Sequence, residues 1–290
     1  QKFNFNVVKL LKLIKNMRNI MNDAIYKSIK SLPPLDETIM KIQQICSSED
    51  SDIAELISVI HQDPMLTANI LRSANSPLYG FSREIADINR AVALFGMATI
   101  RGFALAGTIS KSFKINLEPY GISSAKFMDL AILQNALAFN WCSKINRELL
   151  NIISPASFMM DIGKIIIAKE LIDSKKSTKF KDELQNISTT NELSKLEIDM
   201  VGISSQMVTA QIFKNWNLEP EIAEVIKYSL NPIDAPENLK KHCYILSVIS
   251  NSINVFGTLL PDQINSTTEL LKLYNLDAQL FFSAIEKVQH

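Results

Sequence analysis

The sequence predicts an all-α protein, and three observations lead there. Only 8 glycines occur in 290 residues, too few for a turn-rich β architecture. Apolar residues recur at steps of three and four along most of the chain. Asp, Ser and Thr stand where helices need N-caps, with prolines at the edges of the same segments.

Composition narrows the classes further. With 47% hydrophobic and 21% charged residues the chain has the proportions of a globular protein with a large core. Its 30 basic and 30 acidic side chains cancel, which gives no general attraction to nucleic acid or membrane. Residues 1–30 depart from this balance: seven basic side chains face Asp23 alone, a local +6 that leaves −6 on the rest. Cys46, Cys142 and Cys243 lie far apart, so neither a disulfide framework nor a zinc knuckle is indicated. No apolar run approaches the ~18 residues of a membrane span, and the expected compartment is the reducing cytoplasm.

Taken in order, Val7, Val8, Leu10, Leu11, Ile14, Met17, Ile20, Met21 and Ile25 mark an amphipathic basic helix over residues 1–30. Such a helix can pack on its own domain, enter a partner's groove or lie on an anionic membrane surface. Leu32-Pro33-Pro34-Leu35 ends it. Short helices follow, one to about Ile45 and one from Asp52 with Glu55 placed for a capping box. Asp63 and Pro64 start the helix Met65 to Ala74, which Asn75-Ser76-Pro77 closes; Asn75 and Ser76 read as turn formers bonding local backbone. Asp87 caps Ile88 to Phe95, and Gly96 stands where a left-handed C-terminal residue belongs.

A break at Leu117 to Ser124, with Pro119 and Gly121, sets a boundary between residues 31–118 and 119–230. Beyond it the sequence predicts a long helix Phe127 to Ile145, a turn Asn151 to Pro155 and a central helix Ala156 to Ile172. Residues 174–200 read as a solvated insertion with a helix starting near Thr189 to Glu192. Helices over Ser205 to Trp216, with Met207, Val208, Ile212 and Phe213 on the apolar side, and over Pro220 to Tyr228 come next. Two more, His242 to Phe256 and Thr267 to Val288, form a closing segment 231–290.

The segment with most chemistry is Ser157 to Lys169, where Asp161 is set among Met159, Met160, Ile162 and Ile165 to Ile167. A carboxylate in such company is costly unless a cation or several donors satisfy it. Gly163, inside a helical pattern, signals a close approach by another backbone or a ligand.

Met160-Asp161-Ile162-Gly163-Lys164 resembles the His-Asp-Ile-Gly-Lys motif of HD-domain metal phosphohydrolases, with methionine in the histidine's place. The stretch Asp63 to Gly80, with Ile88, Ala91, Val92, Leu94 and Gly96, resembles the HDOD family, as does Leu32-Pro33; the likeness covers roughly residues 31 to 230. The resemblance implies a multi-helical fold in which an N-terminal helical part packs on a degenerate HD-like part. It makes Asp63, Pro64, Asn75, Ser76, Gly96 and Gly163 structural motif residues. Carried over position by position, the family's metal ligands fall at Gln134, Met160, Asp161, Ser205 and Ser229, with a distal one near Ser250 or Asn251. Only Asp161 keeps a ligating side chain suited to a hard metal, and a thioether is a soft ligand.

From these residues the resemblance implies a non-enzymatic bacterial signalling or regulatory module that binds another protein, with no catalytic residue, metal or cofactor. The competing reading is a binder or hydrolase of a nucleotide or cyclic dinucleotide, with Asp161, Lys164 and Arg101 lining a pocket. Nucleic-acid binding by residues 1–30 is not expected, since no aromatic platform accompanies the lysines. Membrane-surface contact by that segment is a lesser alternative.

Overall fold

Asp36, Asp52, Asp63 and Asp87 each accept a backbone N–H one turn into the chain that follows, and four helices start there: Ile39 N at 2.9 Å, Ala54 N at 2.8 Å, Met65 N and Leu66 N at 3.0 and 2.9 Å, and Arg90 N at 2.8 Å. The structure is a computed structural model and describes residues 23–48 and 50–289. The stretch read as an amphipathic helix over 1–30 therefore lies mostly outside the described residues; α1 is its described part, 23–30, with Ile25 and Ile29 buried. The next helices are α2 (Glu37–Ser47), α3 (Ile53–His61), α4 (Pro64–Ala74), α5 (Ile88–Phe95) and α6 (Met97–Ser112). After a 3-10 turn at Glu118–Tyr120 come α7 (Ser124–Ile145), α8 (Leu150–Met159), α9 (Gly163–Asp173), α10 (Ser177–Leu184), α11 (Thr190–Val201), α12 (Ser205–Asn215) and α13 (Pro220–Tyr228). The chain closes with α14 (Lys240–Ser252), α15 (Pro261–Leu273) and α16 (Ala278–Gln289). No strand occurs among the described residues.

Several expectations are corrected. Asn151 to Pro155 is helical, and the central helix is instead broken at Met160-Asp161-Ile162. Pro155 is tolerated because the carbonyl it deprives of a donor, Asn151 O, accepts Arg101 Nη2 at 2.9 Å. Residues 174–200 are not a solvated insertion: Phe180, Leu184, Leu193, Leu196 and Met200 are buried, so α10 and α11 are core helices with charged outer faces. The capping box forms at Thr189 and Glu192, while no such box is formed at α3, where Asp52 alone caps. Thr267 to Val288 is two helices, because Asn275 takes a positive φ of 52° and Asp277 caps the second by accepting Leu280 N at 3.0 Å. Met207 is 37% exposed and lies off the buried side of α12.

Gly96 is not a left-handed cap. Its φ of 78° and ψ of 162° lie in a region that is open essentially to glycine alone, and there the chain turns by 118° between α5 and α6. Asn75 does act as a turn residue, and at longer range than expected: its side chain donates to Leu71 O and Ile85 O and accepts Ile85 N, at 2.8–2.9 Å. Ser76 makes no side-chain cap bond; its carbonyl accepts Tyr79 N at 3.1 Å.

The loop so folded drives Tyr79 into the interior. Its ring lies edge-on to Phe95, Phe103 and Phe139, with centroids 4.8, 5.8 and 5.7 Å away, and its hydroxyl donates to Asn135 Oδ1 at 2.8 Å. Asn135 in turn donates to Ser154 O at 2.9 Å, and Asn140 Nδ2 reaches back to Leu78 O at 3.0 Å. The loop before α5 is thereby fastened to α7 and α8. The apolar run Arg147–Asp173 is long and hydrophobic enough to cross a membrane, yet its most apolar window is 89% buried inside the protein.

A second fastening is ionic. Arg101 on α6, with its side chain 5% exposed, pairs with Glu219 at the start of α13 and donates to Asn151 O on α8; Ser47 on α2 also donates to Glu219. Breaking a buried pair from one side leaves the other charge stranded. Arg101→Met is expected to lower unfolding free energy by about 3 kcal/mol, checked by urea denaturation, with Arg101→Lys recovering only part because it cannot reach both partners at once.

Candidate functional site

The turn between α8 and α9 is closed by backbone bonds from Ile162 N to Met159 O, Lys164 N to Asp161 O and Ile165 N to Ile162 O, at 3.0–3.1 Å. It delivers Asp161 to the interior, where the residue is 8% exposed. One carboxylate oxygen, Oδ2, accepts Gln134 Nε2 of α7 at 2.9 Å. The other, Oδ1, is paired with Lys164 Nζ from the next turn of the same segment, and Lys164 is itself 3% exposed. The lysine is not a solvated stem on the surface; its ammonium is drawn inward by the carboxylate.

Gly163 answers the question its position raised. A Cβ there would lie 2.1 Å from Ser205 O, 2.8 Å from Thr209 Oγ1 and 2.9 Å from Thr209 N. The approaching group is the backbone of α12. Thr209 Oγ1 accepts Gly163 N at 2.9 Å and lies within bonding distance of Met160 O and Ser205 O, at 3.1 and 2.9 Å. One hydroxyl therefore knits the end of α8, the start of α9 and the first turn of α12.

Beside this contact lies a charged group that the sequence reading missed. Glu197 of α11 is fully buried and accepts Ser205 N at 2.6 Å and Tyr120 OH at 2.8 Å. Burial pushes its pKa above the ordinary 4.5, opposed first by the Lys164 charge and then by the bond from Ser205 N. Burial also raises Tyr120 well above its usual value, with Glu197 adding to the shift. The available signal was the spacing of Leu193, Leu196 and Met200, which puts Glu197 on the apolar side of α11.

A cavity of about 180 Å³ adjoins the turn. Gln134, Asp161 and Lys164 line its buried side, Thr190 and Gln263 its flank, and the exposed Phe256 and Leu260 its rim. Gln134 Oε1 and Gln263 Oε1 have no protein hydrogen-bond partner. Ser250, one of the two candidates for the distal ligand position, also lines the cavity, whereas Asn251 bonds to Ser247 O on its own helix.

The sequence-derived positions thus part company. Gln134 meets Asp161 directly, and Ser205 stands one step behind through Glu197 and Gly163. Met160 is buried at 3% and engages through its carbonyl, and Ser229 donates to Ile226 O at 2.7 Å and does not line the cavity. Arg101 does not belong to the cavity; the Asn151 carbonyl freed by Pro155 and the Glu219 carboxylate hold it elsewhere. Among the described residues, no three side chains of His, Cys, Asp or Glu gather as metal ligands would.

Comparison with known proteins gives a match to the HDOD domain family over residues 32–232. Among solved structures, a virulence factor from Campylobacter jejuni is 27% identical, over 91% of this chain and 95% of that one, with a TM-score of 0.56. A protein from Shewanella amazonensis named as a candidate phosphohydrolase is 18% identical over 91% and 93%, with a TM-score of 0.63. One from Marinobacter aquaeolei named as a candidate signal transduction protein is 19% identical over 94% of this chain and 64% of that one, with a TM-score of 0.63. At 18–19% identity the likeness is one of fold. A curated relative from Treponema pallidum, carrying no functional name, is 27% identical over 74 residues, which is 26% of this chain and 14% of that protein.

Two expectations follow from the site's geometry. Gly163→Ala forces α12 away and should cost about 3 kcal/mol of stability, read by thermal or urea unfolding. For Glu197, a carboxyl with a higher pKa folded than unfolded favours the native state while protonated. Its contribution is therefore present below about 4.5, the ordinary value, and is lost as pH rises through the raised folded pKa. Urea titrations between pH 5 and 8 should show wild-type stability falling relative to Glu197→Gln as pH rises; a constant difference contradicts this.

Proposed function

The chain belongs to the HDOD family, and from that membership we propose that it is a regulatory module of signal transduction that acts by binding another protein, without catalysis. The observation that carries the non-catalytic part is the state of Asp161. Both of its oxygens are engaged, by Gln134 and by Lys164, and the family's other ligand positions hold Met160, Ser205 and Ser229. One carboxylate engaged at both oxygens, a thioether and hydroxyls do not fit a hydrolytic metal, which needs several oxygen or nitrogen ligands and an open position.

Support for the binding part is the firmness with which the two runs of helices are fixed and the surface that results. Phe81, 37% exposed, packs its inner edge against Phe95 and Phe139 and turns the rest outward. With Arg83 and Glu84 it lines an open groove of about 300 Å³ beside the Asn75 turn, and Met65 on α4 is 59% exposed. Three unpaired cysteines, Cys46, Cys142 and Cys243, suit a cytoplasmic setting.

The cavity supports a second reading, a small-molecule binder. Its 180 Å³ falls below the roughly 300–1,000 Å³ of pockets that enclose drug-sized ligands, which argues against full enclosure of a nucleotide or cyclic dinucleotide. Nucleotides at millimolar concentration are accordingly expected to leave the melting temperature unchanged.

The deciding experiment compares proteins captured from the native cells by wild type, Met65→Arg, Arg83→Glu and Asp161→Asn. The two surface variants should lose a partner that wild type retains, with unaltered helicity and melting temperature, and Asp161→Asn should retain it. Phosphodiester hydrolysis that disappears in Asp161→Asn would overturn the proposal.

A further inference from the structure

We infer that the cavity beside the Asp161 turn is a binding site for a small neutral molecule that donates N–H hydrogen bonds, of the primary amide or urea class and about one ring in size. The inference deepens the small-molecule reading of the cavity, on which it rests, and is independent of the protein-binding one.

Two orphaned oxygens carry it. Gln134 is 3% exposed and gives its amide donor to Asp161 Oδ2 at 2.9 Å, which leaves Oε1 without a partner. Gln263, from α15, gives its own donor to Ser188 O at 2.9 Å and is left in the same state. In each amide the bond made by the nitrogen fixes which end is the acceptor. Among the described residues these are the buried side-chain atoms of the lining that have no partner, and both accept. Leaving a buried acceptor unpaired costs more than an ordinary hydrogen bond contributes. The cavity is therefore suited to a ligand that brings donors.

Charge and size narrow the class. Among the described residues, Asp161 and Lys164 are the charged side chains that line the cavity, and they pair with each other. A phosphate or carboxylate entering it would meet no unpaired cation, and an ammonium no unpaired anion, so either would be desolvated without compensation. The Thr190 hydroxyl is already engaged, donating to Ser250 O at 2.8 Å. Leu184, Leu193, Ile253 and Val255 supply apolar wall for a hydrocarbon body. The volume of about 180 Å³ is close to the roughly 150 Å³ that holds one benzene, and the exposed Phe256 and Leu260 stand at the mouth.

The test titrates the full chain with benzamide, N,N-dimethylbenzamide and benzoate, read by saturation-transfer NMR and by melting temperature. Benzamide at millimolar concentration should receive saturation and raise the melting temperature. The two analogues, one without N–H donors and the other charged, should bind at least about tenfold more weakly. Val255→Phe, which narrows the cavity, and Gln263→Leu, which removes an acceptor, should each fold and lose benzamide affinity by about tenfold or more. Either analogue binding as tightly as benzamide overturns the neutral N–H donor class and leaves the small-molecule reading standing. Undiminished affinity in a variant that folds overturns the location, and failure of every probe to bind wild type overturns the small-molecule reading as well. None of these outcomes bears on protein capture, which the surface variants decide.

Discussion

A proline inside a buried helix leaves one carbonyl without its donor, and the fate of that carbonyl decides how this molecule is held together. Pro155 strands Asn151 O, and Arg101 reaches it from α6. Because a guanidinium is a planar fork of donors, Arg101 pairs with Glu219 as well, and Ser47 comes to the same carboxylate. Four helices, α2, α6, α8 and α13, are thereby referred to one cation. Apolar packing of α6 on α8 supplies attraction without direction, while a buried polar bridge with fixed geometry tolerates one alignment. The Tyr79 to Asn135 to Ser154 chain does the same a short way off.

The second polar centre is built on different terms. At Arg101 the charges join separate stretches of sequence, and their partners lie 50 and 118 residues away. At Asp161 the cation comes from three residues on, so the pair forms with the turn itself, and longer-range order is added by Gln134, Thr209 and Glu197. Local pairing lets the turn carry its own neutralisation into the core. Without it, Asp161 would be buried with the Gln134 amide as its one remaining hydrogen-bond donor.

How much of this was legible follows from the range of each interaction. The caps at Asp63 and Asp87 could be read because a helix start is decided within four residues. The break at Asp161 could not, since Met160 and Ile162 on either side are as apolar as their flanks and the α12 backbone that packs against Gly163 comes from more than 40 residues away. Residues 174–200 looked solvated because charged residues outnumber apolar ones there, although period and not average decides burial. The proximity of Gln134 to Asp161 came through the family resemblance, and the departure of Arg101 from the same cavity shows where residue type alone misleads.

The residues of the Met160-Asp161-Ile162-Gly163-Lys164 segment can be sorted by what the fold asks of each position. Gly163 is required by a backbone that comes within 2.1 Å of where a Cβ would stand, a demand indifferent to chemistry. Asp161 and Lys164 satisfy each other in the interior, so removing either harms the remaining one. Met160 engages through its main chain, whose carbonyl meets Thr209 Oγ1, while its side chain is surrounded by core. At Asp161, Gly163 and Lys164 the turn thus answers to packing and charge balance, while at Met160 it uses a main-chain carbonyl and an apolar side chain set in the core.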